Sequence, residues 1–179
     1  MGVNLATELL LDTKPIPVLS YKRNKKHSDF AGKAGYGVCA SRNMKYFGFK
    51  LVALTTLDGI PVVYELGPAN TDERAAAEEV LDSVWGCDIF GDKGFIGEEW
   101  QLDQETFHGN RIWTAKRANQ SKQNAPEFDL WLNSIRERGY TSLYGELPTF
   151  RLVQNNGNFS RNQLMLVINE TFLTNHGSR

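Results

Sequence analysis

The sequence predicts a mixed α/β domain, a sheet with helices packed on it. Three observations carry this. Two β-rich runs, 47–56 and 60–66, are joined by Leu57-Asp58-Gly59, a strong short-range hairpin signal. The hydrophobic period then switches to that of a helix over 71–85. Finally, two short apolar runs, Thr7–Leu11 and Cys87–Gly91, each lead into an aspartate, Asp12 and Asp92.

In chain order, residues 5–12 read as a strand ending at Asp12. From Thr13 to Lys45 the chain is basic and punctuated by Pro15, Pro17, Gly32, Gly35 and Gly37, which predicts a long loop with little regular structure. The hairpin follows, with Pro61 tolerable at the entry of an edge strand. Asn70 is the expected helix cap, with Asp72 and Glu73 suited to the positive end of the helix dipole. Ala77, Val80, Leu81 and Val84 give that helix one buried face, and Gly86 ends it. The Asp92 strand comes next, then a short acidic helix over 97–106 and a strand over 111–115. Phe128, Trp131, Leu132 and Ile135 form the apolar stripe of a helix from Glu127 to about Arg138, interrupted by Gly139. Leu164, Ile168 and Phe172 predict a closing helix over 161–173.

At 179 residues, 41% of them apolar, the chain is long enough for one domain with a real core, so 1–179 is read as a single domain. No apolar run approaches the roughly 20 residues of a membrane span, and the N-terminus lacks a signal-peptide pattern. A cytoplasmic protein with no membrane partner is expected. Cys39 and Cys87 match no metal or redox spacing and are expected to be reduced, one of them buried.

A net charge of −1 conceals a marked asymmetry. Residues 13–50 hold nine Lys/Arg against one acid, whereas residues 58–105 hold thirteen acids against Arg74 and Lys93. The basic stretch includes Lys22, Arg23, Lys25 and Lys26 and is interleaved with Tyr21, Phe30, Tyr36, Tyr46 and Phe47. Ammonium groups for phosphates and rings for stacking point to a polyanion partner. A second basic connector, free of acids, carries Lys116, Arg117 and Lys122.

In open α/β sheets, ligands gather outside the carboxyl ends of the strands, where Asp12 and Asp92 are expected. Two carboxylates held close repel unless a cation neutralises them, and a hard divalent ion, Mg²⁺ or Mn²⁺, is the natural partner. Two such ions about 3.5–4 Å apart can activate water and stabilise the leaving oxygen at a phosphodiester.

One ordered series extends this reading. It comprises Leu11-Asp12-Thr13-Lys14-Pro15-Ile16-Pro17-Val18, Phe30-Ala31-Gly32-Lys33-Ala34-Gly35-Tyr36, Ala40-Ser41, Phe47-Gly48-Phe49-Lys50-Leu51, Asp58-Gly59, Gly67-Pro68-Ala69-Asn70-Thr71-Asp72 and Gly91-Asp92-Lys93-Gly94-Phe95. Over roughly residues 8–138 it resembles the bacterial insertion-sequence transposases of the DDE class. The resemblance implies an RNase H-like mixed sheet flanked by helices, with three acids binding two Mg²⁺. It implies nicking of transposon ends and joining of the freed 3′-hydroxyl to target DNA. The partner would be double-stranded DNA, both transposon ends and target, with a homodimer among the expected assemblies. Asp12 matches the first acid and Asp92 the second, and Thr114–Gln120 matches the basic segment that contacts DNA after the fifth strand.

The departures bear on activity. Family members carry a further, often helical region before the first acid, and here that region is expected to be lacking, the resemblance beginning at about residue 8. The third acid belongs in an Arg-x-x-Ile-Glu-Thr-like helix, but this chain reads Arg136-Glu137-Arg138-Gly139-Tyr140-Thr141. The glutamate position falls on Tyr140 when aligned from the left and on Thr141 from the right, as a small compensated frameshift would leave it. Glu137, with Glu146 as the alternative, is the nearest acid for the third role. The readings are therefore a metal-dependent, strand-transferring DDE transposase, active or degenerate, or a catalytically silent remnant that only binds DNA through its basic loop.

Overall fold

The computed structural model describes residues 7–19, 30–39, 43–120 and 123–145. Six strands form one mixed sheet: β1 Glu8–Leu19, β2 Gly35–Cys39, β3 Met44–Thr56, β4 Pro61–Pro68, β5 Asp88–Gly91 and β6 Arg111–Thr114. The helices among the described residues are α1 Glu73–Leu81, α2 Glu98–His108 and α3 Pro126–Gly145, with a 3₁₀ turn at Lys93–Phe95. The sheet order is β2-β3-β1-β5-β6, with β4 lying on β3 as well. β2 and β4 share one edge of the long β3, pairing with 44–48 and with 49–55 respectively. β1 runs antiparallel to β3 and parallel to β5, and β5 runs parallel to β6. An antiparallel β4-β3-β1 unit continued by parallel β5 and β6, with helices against the sheet, is the RNase H-like arrangement.

The alternation of β1 builds two cores. Leu9 and Leu11 join Val52, Leu54, Ile89 and Phe95 beneath the Ala76, Ala77, Val80 and Leu81 face of α1. Leu10 turns the other way and packs with Phe90, Ala115 and the α3 residues Leu132 and Ile135. Trp131 of α3 adds an edge-on contact to Phe90, centroids 4.9 Å apart. Buried Asn110 locks the α1 end of the first layer: its Nδ2 donates to the carbonyls of Leu81 and Val84, and its Oδ1 accepts from the Cys87 amide. Both cysteines are free thiols, with Cys87 buried.

Several elements differ from the sequence expectation. β1 does not end at Asp12 but runs on to Leu19, and β2 lies inside the predicted loop. Pro15 and Pro17 misdirected that reading, since proline usually breaks a sheet. Here β5 stops at Gly91 opposite Leu11, so β1 beyond that point is an edge strand held only by β3, where proline is tolerated. The helix cap is Asp72, whose Oδ1 accepts from the amides of Arg74 and Ala75, rather than Asn70, and α1 is shorter than 71–85. Gly139 does not interrupt α3, whose backbone is helical through to Gly145. A helical glycine costs about 1 kcal/mol relative to alanine, and packing of Leu132 and Ile135 outweighs it. The predicted helix over 161–173 lies outside the described residues. The hairpin, with Thr56 N donating to Ile60 O and Gly59 N to Thr56 O, is as expected. So are α2 and β6.

Candidate active site

The register of β1 against β5 creates the site. Leu11 is the parallel partner of Gly91, so Asp12 and Asp92 are the next residues on adjacent strands, whose spacing is about 4.8 Å. β5 stops there while β1 continues, which leaves a notch with Asp12 on its wall and Asp92 at its lip. By strand alternation Asp12 shares the side of Leu10, the side covered by α3.

Each carboxylate is fixed differently. Asp92 caps the 3₁₀ turn, its Oδ1 accepting from the Gly94 amide at 2.7 Å. Its Oδ2 turns towards α3, where Arg136 Nη2 lies 4.0 Å away. Leu132, Ile135 and Arg136 follow the i, i+3, i+4 spacing, so the helix face that builds the core also carries the guanidinium to the aspartates. Asp12 is more enclosed. Burial pushes its carboxyl up to about 6, and the charges of Asp92 and Glu73 push the same way, against the Thr13 amide and Arg136.

Glu73 is the site acid that sequence reasoning read only as a helix-dipole residue. It stands in the first turn of α1, on the opposite layer from α3. Burial holds its carboxyl above the usual range, reinforced by the neighbouring Asp92 charge and opposed by Lys50 and by a hydrogen bond from Thr13. The Gly94 turn is where these acids meet. A Cβ at Gly94 would collide with Glu73 Oε2 and sit 2.8 Å from Asp92 Oδ1. Nothing in the local sequence signals this convergence, because it depends on how α1 is laid across the end of β5.

Of the other predicted residues, Arg117 reaches the site turn, its Nη2 donating to the Lys93 carbonyl at 3.2 Å. Lys116 beside it is half-buried. Glu137 is exposed on α3, next to Arg136. Lys22, Arg23, Lys25, Lys26, Lys122 and Glu146 lie outside the described residues. The α3 backbone is continuous, so position 140 lies four residues, about one helical turn, beyond Arg136.

The donor set is oxygen only, which suits a hard divalent cation. Asp12 and Asp92 are the carboxylates that could hold such an ion, and Glu73 Oε2 and Asp92 Oδ1 crowd the space beside the bare Cα of Gly94. Among the described residues, no group of three or more acids, histidines or cysteines is gathered into a metal cage. No helix among them is long and apolar enough to cross a membrane.

No curated protein and no solved structure matches the chain. A family model described as the transposase DDE domain matches residues 5–175, a span that includes both aspartates, all six strands and α3. The chain belongs to the DDE transposase family.

Proposed function

We propose that this domain binds a divalent metal ion, Mg²⁺ or Mn²⁺, through Asp12 and Asp92 and that its site is built for phosphodiester cleavage and strand transfer on insertion-sequence DNA. The observation that carries the reading is the register match of the two aspartates across adjacent parallel strands. When bound, the cation supplies Lewis acidity to the phosphodiester oxygens. The chain's own groups do the rest. The Gly94 amide holds Asp92 Oδ1, so that Oδ2 points into the notch. Arg136 offers a fixed positive charge beside the aspartates, to which a DNA phosphate oxygen can bond. Duplex DNA approaches over the connector that carries Lys116 and Arg117, with Lys22, Arg23, Lys25, Lys26 and Lys122 as further phosphate contacts.

Strand transfer by the chain as written is low. Asp12 and Asp92 bring less negative charge than three acids, and Tyr140 or Thr141 stands where the third is expected. Glu137 is the α3 acid nearest that role, with Glu146 as the alternative. The alternative reading is a catalytically silent remnant that only binds DNA through its basic loop, and it rests on the absence of a glutamate at 140 and 141. Calorimetric titration with Mg²⁺ tests the first. A binding heat that disappears in Asp12→Asn and in Asp92→Asn is expected, and an unchanged heat in both variants rules out the metal site. Mg²⁺-dependent nicking by the unmodified chain, abolished by Glu137→Gln or Glu146→Gln, would identify a working third acid and overturn the decay reading.

A further inference from the structure

On the α1 side of the Asp92 turn, away from Arg136, lies an open cavity of about 460 Å³. Three permanent or near-permanent cations from three separate elements line it: Lys50 from β3, Arg74 from α1 and Arg117 from the connector after β6. Their placement is built in. Lys50 Nζ donates to the Thr71 carbonyl at 2.8 Å, which anchors the ammonium at the entry to α1. Arg117 is held by its bond to the Lys93 carbonyl. Arg74 lies along the 94–97 turn, where a Cβ at Gly97 would come within 2.8 Å of its Nη1.

Two acids share the cavity, and both are engaged. Asp72 spends Oδ1 on the amides of Arg74 and Ala75 and faces the Arg74 Nε at 3.5 Å. Glu73 takes a hydrogen bond from Thr13 and presses against the Gly94 turn. Three cations against two engaged acids leave a net positive pocket next to an acidic notch. Arginine forks match phosphate oxygens in a bidentate way, and a cavity this open suits a stretch of backbone better than a small free anion.

We infer that Lys50, Arg74 and Arg117 form a subsite for a backbone phosphate of the DNA strand, one that holds the strand across Gly94 as it enters the Asp12–Asp92 notch. The inference rests on the DNA-processing reading above and adds a location to it. Lys50 closes the basic stretch 13–50, Arg74 stands in an acidic one and Arg117 comes from the second basic connector; only the meeting of β3, α1 and that connector brings the three together.

The test is duplex DNA binding by the full chain, followed by fluorescence anisotropy over a salt series without divalent ions. Arg74→Gln and Lys50→Gln should each flatten the slope of log K against log salt by about 0.9, equivalent to roughly eightfold weaker binding at 0.1 M salt if the lines converge at 1 M. Arg111→Gln removes the same charge at the far end of β6 and should leave the slope alone. Lys50→Arg and Arg74→Lys should keep the wild-type slope, so a folding defect in a glutamine variant is separated from loss of a contact. An unchanged slope in both glutamine variants overturns the subsite, as does an equal fall in all three, which would be a net-charge effect. A wild-type chain with no salt-dependent binding sinks the nucleic-acid reading and the subsite together.

Discussion

The two sides of the sheet treat charge in opposite ways. On the α3 side, the two carboxylates lie with the Arg136 guanidinium beside a mostly apolar layer of Leu10, Phe90, Leu132 and Ile135. On the α1 side, three cations and two acids line an open, polar cavity against the same Asp92 turn. Enclosure explains the difference. Burial makes an unneutralised negative charge costly, and so favours a cation. The open side can hold charges of both signs near water, where each pair is worth little by itself and a phosphate can compete for the cations.

The sharpest way to break this comparison is a double dissociation. Asp92→Asn should abolish the Mg²⁺ heat while leaving the salt slope of DNA binding in chelator intact. Arg74→Gln should do the reverse. If either variant changes both properties, the two sides act as one site.

A smaller effect concerns the third acid. Arg136 sits on the site face and α3 is continuous, so Tyr140→Glu alone, with Gly139 retained, should strengthen Mg²⁺ binding by roughly tenfold to a hundredfold. A unit charge about 4 Å away is worth about 4 kcal/mol at an effective dielectric of 20, before desolvation is subtracted. Thr141→Glu should do much less. Should Thr141→Glu prove the better of the two by calorimetry, the helix register derived from Arg136 is wrong.

The Gly94 turn, where the two sides meet, offers a third measurement. Gly94→Ala puts a methyl into the Glu73 carboxylate and against Asp92 Oδ1. Overpacking of this kind costs about 1–3 kcal/mol, a fall in Tm of several degrees by thermal denaturation. A Gly94→Ala, Glu73→Ala double variant should recover much of that loss, because the collision is with a removable side chain.

The smallest effect is in pH. Asp12 keeps its proton up to about 6 in the folded chain, against 3.8 without the fold. Between those values the folded state binds more protons than the unfolded, so stability falls as pH rises, by up to about 1.4 kcal/mol per unit, and levels off above 6. Glu73, also shifted upward, adds in the same direction. In chelator, wild type minus Asp12→Asn should show this slope in chemical denaturation, and saturating Mg²⁺ should remove it. A flat difference curve would mean that Asp12 is solvated rather than enclosed.

The contrast between α3 and β1 shows what could be read from residues alone. The apolar stripe of α3, the Asp58-Gly59 hairpin and the α2 and β6 segments were legible because period and turn chemistry are local. The notch was half legible, since each aspartate follows an apolar run. That they face each other depends on a parallel register between residues eighty positions apart. Residues 13–19 were misread because Pro15 and Pro17 are locally unfavourable to a sheet, and only the early end of β5 makes that stretch an edge; β2 was misread because Gly35 and Gly37 punctuate it.

By itself, the sequence determined the mixed α/β class, the hairpin, the α3 stripe and the pair of aspartates, all of which follow from spacing along the chain. Tertiary structure alone decided that β1 passes beyond Asp12, that Arg136 faces the aspartates and that Glu73, Lys50 and Arg74 crowd the same turn. The physical reason is that burial and electrostatic contact arise between elements distant in sequence. Glu73 and Asp92 are neighbours only because α1 packs its alanine face over Leu9, Leu11 and Ile89 and sets its first turn at the end of β5.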